Sequence, residues 1–553
     1  MDCEINVDSI RALEKQIIEY ERTIIELKRT RNSLLNISKL PPEVLGSVFR
    51  WNVIREGDFG GLDPGSHNFL GVCHHWFEVA SRTPELWSSW GNTPNDWAQW
   101  YYHSRTAPLD LVLSGSYYGA YSDDEDGLDH DLREAINDRA TKDTIRRVHL
   151  KAEGSMLIDD IIVELTAKGE KLRSNSMESL VLWNLDSTSP VDVSDFFARY
   201  RFPKLQRLEL TNCKISSWDH LTSRTSILTT LKLDFADHWR TPTPTPTASQ
   251  LLSMLTSNPR LQKVALLDRA IPNGGGGESS SQVQLRHMKE LRLDGDFQRV
   301  LKLLNQLDHP RNMDSLTLTL HDCNIVDIPR TIGPYIRDHL RRRDKPQGGL
   351  DLLVSSEDTD NAPFNVPYNA PHITFHVGDA RAVNLSAPSL AEINAFVKVE
   401  IALSETRKDV LKRVALDLTT YAPQEEVIHF RMYNKLAARM DTYTQFPNLR
   451  ALSFDVISLP AAFPNPNLIG NGKIFPSLEH IFLGDMIVDD ADWSPLVSFL
   501  AHRVSSGNRL DTLVIVRSPH MCPDMMESIR GMVRELRIEG QGRRNPLKRK
   551  CCT

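Results

Sequence analysis

Residues 205–215 read LQRLELTNCKI, and residues 316–325 read LTLTLHDCNI. Aligned, they give Leu208-x-Leu210-x-x-Cys213-x-Ile215 and Leu318-x-Leu320-x-x-Cys323-x-Ile325. Alternation with a period of two over so short a run predicts a strand, because successive side chains point to opposite faces. The leucines then share one side. A small cysteine fits the inside of the sharp turn that follows, where it can also bond backbone groups. One such strand cannot bury its apolar face alone, so the segments must pack against one another.

Working outward, the same core recurs. It appears as VHL (148–150), LVLWNL (180–185), LTTLKL (228–233), LQKVALL (261–267), LRL (291–293), LDLLV (350–354) and ITFHV (373–377). It continues as VALDL (414–418), LRALSF (449–454), IFL (481–483) and LVIV (513–516). Helix-like stretches lie between, such as ASQLLSMLTSN (248–258) and FQRVLKLLNQL (297–307). Proline-led turns FPKLQRL (202–208), NPRLQKV (258–264), FPNLRAL (446–452) and FPSLEHI (475–481) precede strands at one shared offset. Strand, turn and helix in alternation resemble a leucine-rich repeat. That resemblance implies an irregular leucine-rich-repeat solenoid over residues 146–540, a repeating α/β arrangement. TPTPTPT (241–247), GGGGESSS (274–281) and SSEDTDNAPFNVPYNAP (355–371) interrupt it and read as loops.

The N-terminus has a different period. Ile10, Leu13, Ile17, Tyr20, Ile24, Leu27, Arg31 and Leu34 step by three and four, the a/d seam of a coiled-coil-like helix over residues 8–35. Such a stripe must pair with a second copy, with another protein or with the chain's own body.

Residues 37–87 read ISKLPPEVLGSVFRWNVIREGDFGGLDPGSHNFLGVCHHWFEVASRTPELW. Pro41 and Pro42 open a helix, and Glu43 sits beside the positive end of its dipole. Val44, Leu45, Val48 and Phe49 step along it. A Gly- and Asp-rich insert follows at 56–66. A second helix then carries Leu70, Val72, Cys73, Trp76, Phe77, Val79 and Ala80, and Thr83-Pro84 stops it. So large an apolar load on so few residues points to a face reserved for a partner.

This block resembles the F-box family. The resemblance lies in Ile37, Leu40-Pro41-x-Glu43-x-Leu45, Phe49, Leu70-x-Val72-Cys73-x-x-Trp76, Ala80 and Thr83-Pro84-x-Leu86-Trp87. It departs in the long insert and in Phe77-Glu78, where the family often has a basic residue. The family implies docking to a Skp-family adaptor, and through it to a cullin, in an SCF-type ubiquitin ligase. By that carry-over Leu40, Pro41, Pro42, Glu43, Leu45 and Phe49 would contact the adaptor, while Trp76 and Trp87 would hold the module's own core. The resemblance also implies an unidentified protein substrate, held by the repeats. The other reading of the same residues is a scaffold or interaction protein outside any ligase.

Composition narrows the classes. With 65 Lys plus Arg against 72 Asp plus Glu, the 553-residue chain carries a net charge of −7, which argues against a nucleic-acid binder. The seven cysteines are odd in number and scattered, so reduced thiols in cytoplasm or nucleus are expected. No apolar run is long enough for a membrane helix or a secretory signal. The phosphate-loop, nucleophile-elbow, zincin and C-x-x-C motifs are missing, so neither catalysis nor a cofactor is expected. In Cys73-His74-His75 neighbouring side chains point about 100° apart on a helix, so no metal site is expected there. The acidic run at 122–131 lacks the spacing of a calcium loop. The expected organisation is a coiled-coil-like helix (1–36), an F-box (37–90), a connecting segment (91–145), the solenoid (146–540) and a basic tail (541–553), read either as a plain soluble tail or as a nuclear import signal.

Overall fold

The computed structural model describes residues 7–53, 70–90, 102–104, 107–114, 130–141, 144–152, 155–166, 176–186, 189–235, 245–273, 282–308, 313–321, 328–342, 350–357, 372–379, 395–402, 417–422, 424–433, 446–455, 463, 475–484, 493–516 and 523–539. The insert at 56–66, GGGGESSS, Cys323 and Ile325, the basic tail and most of the acidic run lie outside them. The chain divides into two compact units, one of residues 1–230 with 238–244, the other of 231–237 with 245–553.

Unit one begins with α1 (Val7–Ser33), a 3-10 turn (Asn36–Lys39), α2 (Pro42–Val53) and α3 (His74–Ser81). The chain then enters a parallel sheet through β1 (Ser89–Trp90) and β2 (Leu109–Ser114). After α4 (His130–Thr141) come β3 (Ile145–Ala152), α5 (Ser155–Thr166) and β4 (Ser179–Asn184). Next are β5 (Val191–Asp192), α6 (Ser194–Arg199), β6 (Arg207–Thr211), β7 (Cys213–Lys214) and α7 (Trp218–Arg224). β2, β3, β4 and β6 pair in that order, all parallel, and β5 pairs with β7 in a small separate ladder.

The stretch around Cys213 shows why the strands form. Leu208 and Leu210 are buried on one side of β6, Glu209 between them is buried on the other, and Cys213 and Ile215 are buried beyond the turn. Burying a leucine contributes about 1.5–3 kcal/mol. Asn212 turns the chain in the left-handed region at φ 51 and donates Nδ2–H to the Asn184 carbonyl at 2.9 Å. That side-chain bond offsets part of the strain.

Unit two starts at β8 (Thr230–Phe235), whose first residue closes unit one. It continues with α8 (Ala248–Ser257), β9 (Lys263–Asp268), β10 (Val283–Gln284), β11 (Glu290–Asp296), α9 (Phe297–Gln306), β12 (Leu307–Asp308) and β13 (Ser315–His321). Then follow α10 (Ile328–Arg342), β14 (Leu350–Glu357), β15 (His372–Asp379), β16 (Ala395–Ala402), β17 (Val427–Tyr433), β18 (Ala451–Asp455) and β19 (His480–Gly484). The last elements are α11 (Ser494–Ser505), β20 (Leu510–Val516), α12 (Pro523–Met532) and β21 (Val533–Glu539). β9, β11 and β13 pair in parallel, and β13 next pairs with β16 rather than β14. β15 lies antiparallel between β16 and β14, and β14 hands the sheet on in parallel to β17, β18, β19, β20 and β21.

The proline-led turns perform the same step each time. Leu205, Leu261, Leu449 and Leu478 donate N–H to the carbonyls of Phe202, Asn258, Phe446 and Phe475, at 3.3, 3.1, 3.4 and 3.2 Å. Proline occupies the second position, where its fixed φ suits the turn. Strands then begin at Arg207, Lys263, Ala451 and His480, at one offset.

The expected fold is corrected. Among the described residues the architecture is α/β, built on large parallel sheets with helices in the connections. It is not a helical module followed by a leucine-rich-repeat solenoid. Stacked repeats keep each strand beside its predecessor, whereas β14, β15 and β16 run back in reverse order with β15 reversed in direction. The segment 91–145 is no mere connector, since it supplies β2 and α4. VALDL ends in a helical turn at 417–419 instead of a strand. Alternating leucines specify a strand with one buried face, and that requirement is common to any half-covered parallel sheet.

Candidate functional site

Among the described residues, two surfaces are candidates, one in each unit. The first is α2 with its neighbours. Leu45 and Phe49 are buried, and the Phe49 ring meets Trp76 of α3 at 5.1 Å between centroids. Trp87 is buried, donates Nε1–H to the Ala80 carbonyl at 2.8 Å and stacks on His103 at 4.5 Å. α2 approaches Thr83 closely at Gly46, where an added Cβ would lie 3.1 Å from Thr83 Oγ1. Thr83 is itself fixed by donating to the Val79 carbonyl at 2.7 Å. These contacts make a small closed core.

Val44 and Val48 do not join it. They are exposed, and Trp51 is 85% exposed. Positions 44, 48 and 51 follow helical spacing, so α2 has one apolar face turned inward and a second turned to water. Of the residues expected to meet an adaptor, Pro41, Pro42 and Glu43 are exposed and Leu40 is half-buried beside this outer face. Leu45 and Phe49 lie in the core and support the surface from behind. Trp76 is half-buried against Phe49, and Trp87 is fully inside. In the sequence Val44 and Val48 read as members of the same run as Leu45 and Phe49, because periodicity alone does not say which of two adjacent apolar rows faces in.

The second surface is the polar face of the sheet in unit two. Lys263 of β9 pairs with Glu290 of β11 at 2.7 Å. The Asp294 carboxylate of β11 faces two neighbours: its Oδ1 lies 2.7 Å from His321 Nε2, and its Oδ2 lies 3.8 Å from the Arg292 guanidinium. Asp268, Asp294 and His321 each place one ligand atom within 4.8 Å of the others. Two carboxylates and an imidazole at this spacing are chemically able to ligate a divalent cation, but here the His321–Asp294 contact pairs two of the three with each other. Asp234 of β8 is held above the usual carboxylate range, first by burial and further by Asp294, against the opposing pull of Lys232 and Arg292. The signal in sequence was a polar residue directly after the apolar core, as in ALLD, LRLD and LTLTLH.

Cys73 is not on the helix with His74 and His75 but precedes α3 in extended backbone at φ −164, and His74 pairs with Glu78 at 3.7 Å. Cys73 and Cys213 are unbridged. Burial pushes the Cys213 thiol far above its ordinary range, which keeps it protonated and inert. No described helix is long and apolar enough to cross a membrane. No family model matches the chain, and no curated protein matches it.

Proposed function

We propose that the protein is the non-catalytic substrate-recognition subunit of a cullin–RING ubiquitin ligase. Residues 37–90 dock a Skp-family adaptor, and the polar sheet face receives a target protein. The chain then acts by proximity: it raises the effective concentration of a target lysine near the charged conjugating enzyme. It works in the cytoplasm or nucleus, in keeping with its scattered thiols.

The observation that carries the reading is the outer face of α2. Val44, Val48 and Trp51 leave an apolar strip in water beside Pro41, Pro42 and Glu43. An aromatic this exposed, rimmed by polar side chains, has the composition of a binding hot spot. The F-box-like spacing of Leu40-Pro41-x-Glu43-x-Leu45 supports the same reading.

The test is Val48→Glu combined with Trp51→Ala in the full chain. Both side chains are exposed, so thermal unfolding should stay within about 0.5 kcal/mol of wild type. Adaptor capture should fall at least tenfold. Undiminished capture by the folded double variant would remove α2 from the interface.

A further inference from the structure

Among the described residues nothing covers the seam of α1. At the a positions stand Ile10, Ile17 and Ile24, and at the d positions Leu13, Tyr20 and Leu27, all between 44% and 68% exposed. The helix has 27 residues, a rod of about 40 Å. We propose that α1 is one strand of a parallel, in-register, two-stranded coiled coil formed with a second copy of this chain.

Residue type selects the occupant. Isoleucine at a with leucine at most d positions favours two parallel strands over three or four. The flanking charges agree. The g positions hold Ser9, Gln16, Thr23 and Thr30, and the e positions Glu14, Glu21 and Lys28. In a parallel pair each g side chain meets the partner's following e, so Gln16 faces Glu21 and Thr23 faces Lys28, with no like charges opposed. In an antiparallel pair with full overlap, the two copies of Glu21 would face each other. Thr23 and Thr30 bond within their own helix, to the carbonyls of Glu19 and Glu26 at 3.0 Å each, so neither hydroxyl enters the interface unpaired.

Arg31 takes the fourth a position. Its guanidinium is drawn sideways to Asn32 Oδ1 at 2.9 and 3.2 Å. A single polar a residue specifies register at some cost in stability, and this one sits at the last turn. Ile18 and Ile25 are also exposed but occupy b positions, off the seam. Parallel pairing would bring two copies of the 37–90 block to one end of the rod. The pairing itself does not rest on the adaptor reading.

The experiment is light scattering of the full chain at tens of micromolar, without adaptor. The expected mass is twice the 62.8 kDa of one chain. Ile17→Lys with Ile24→Lys should halve it, and Ile18→Lys with Ile25→Lys should leave it unchanged, both with unaltered melting of the body. Leu13→Cys should cross-link two chains under mild oxidation well above the wild-type level, since only a parallel pair sets position 13 against itself. A wild-type monomer, a three- or four-chain mass, a dimer that survives the seam substitutions, a dimer lost with the b substitutions, or no added cross-link would each overturn the proposal.

Discussion

Single residues set the chemistry that the sheets can tolerate. His429 of β17 is 4% exposed, and its Nε2 shares a hydrogen bond with Ser453 Oγ of β18 at 3.0 Å. Burial, then Arg431, then His480 push its pKa down to about 3. Below an ordinary value of about 6.5 the unfolded chain takes up a proton here that the folded chain refuses. The contribution to stability is therefore complete above that value and shrinks as pH falls toward the folded pKa. At pH 5 the loss from this residue is about 2 kcal/mol. Denaturant unfolding at pH 7 and pH 5 should show it, and His429→Gln should flatten the difference by that amount. An unchanged pH difference in the variant would place the acid sensitivity elsewhere. Arg503 solves the opposite problem. Buried beside Phe499, it donates to the carbonyls of Phe475 and Leu478 at 2.7 Å each, and burial lowers its pKa to about 10. Those two bonds hold the turn in which Phe475 sits at φ 48.

Elements were legible where one local rule governs them. The capping of α8 is such a case: Thr247 Oγ1 accepts from Gln250 N–H at 3.2 Å, while Gln250 Oε1 accepts from Thr247 N–H at 3.1 Å. Thr247→Ala removes the cap and should cost about 1 kcal/mol, read as a lower denaturant midpoint. A midpoint shift near zero would mean that burial of Leu251 and Leu255 alone sets the helix boundary. Strands β4, β6, β9, β11, β13, β18, β19 and β20 likewise coincide with apolar runs read from sequence, because one buried face forces alternation. β2 (Leu109–Ser114) lies inside the segment expected to connect, and lysine, arginine and glutamate interrupt the apolar alternation of β16, β17 and β21. Strand order was not legible at all. Which strand lies beside β13 depends on long-range pairing, and neither Ser315–His321 nor Ala395–Ala402 carries a mark of its partner. The candidate site shows the same limit. Of the residues expected to meet an adaptor, Pro41, Pro42 and Glu43 are exposed and Leu45 and Phe49 are buried, while Val44, Val48 and Trp51 are exposed. Adjacent apolar rows on a short helix differ by about 100°, and only packing against Trp76 decides between them.

At the scale of the whole molecule, each of the two units carries rows of charged side chains on its sheet. In unit one Arg146 grips Asp110 through two contacts, at 2.9 and 2.7 Å, and His149 bonds Ser179 at 2.7 Å. In unit two the corresponding rows are Lys263–Glu290 and Arg292–Asp294–His321. Such rows give a face its charge pattern and so its choice of partner more than its affinity. The central claim is that the chain engages a Skp-family adaptor. The most direct measurement is titration of purified full-length chain with purified adaptor by calorimetry, with light scattering of the mixture. The account predicts saturable binding of one adaptor per chain, and a mass increase to match. No heat and no change in mass from a folded chain would contradict it, leaving the outer face of α2 to a different partner.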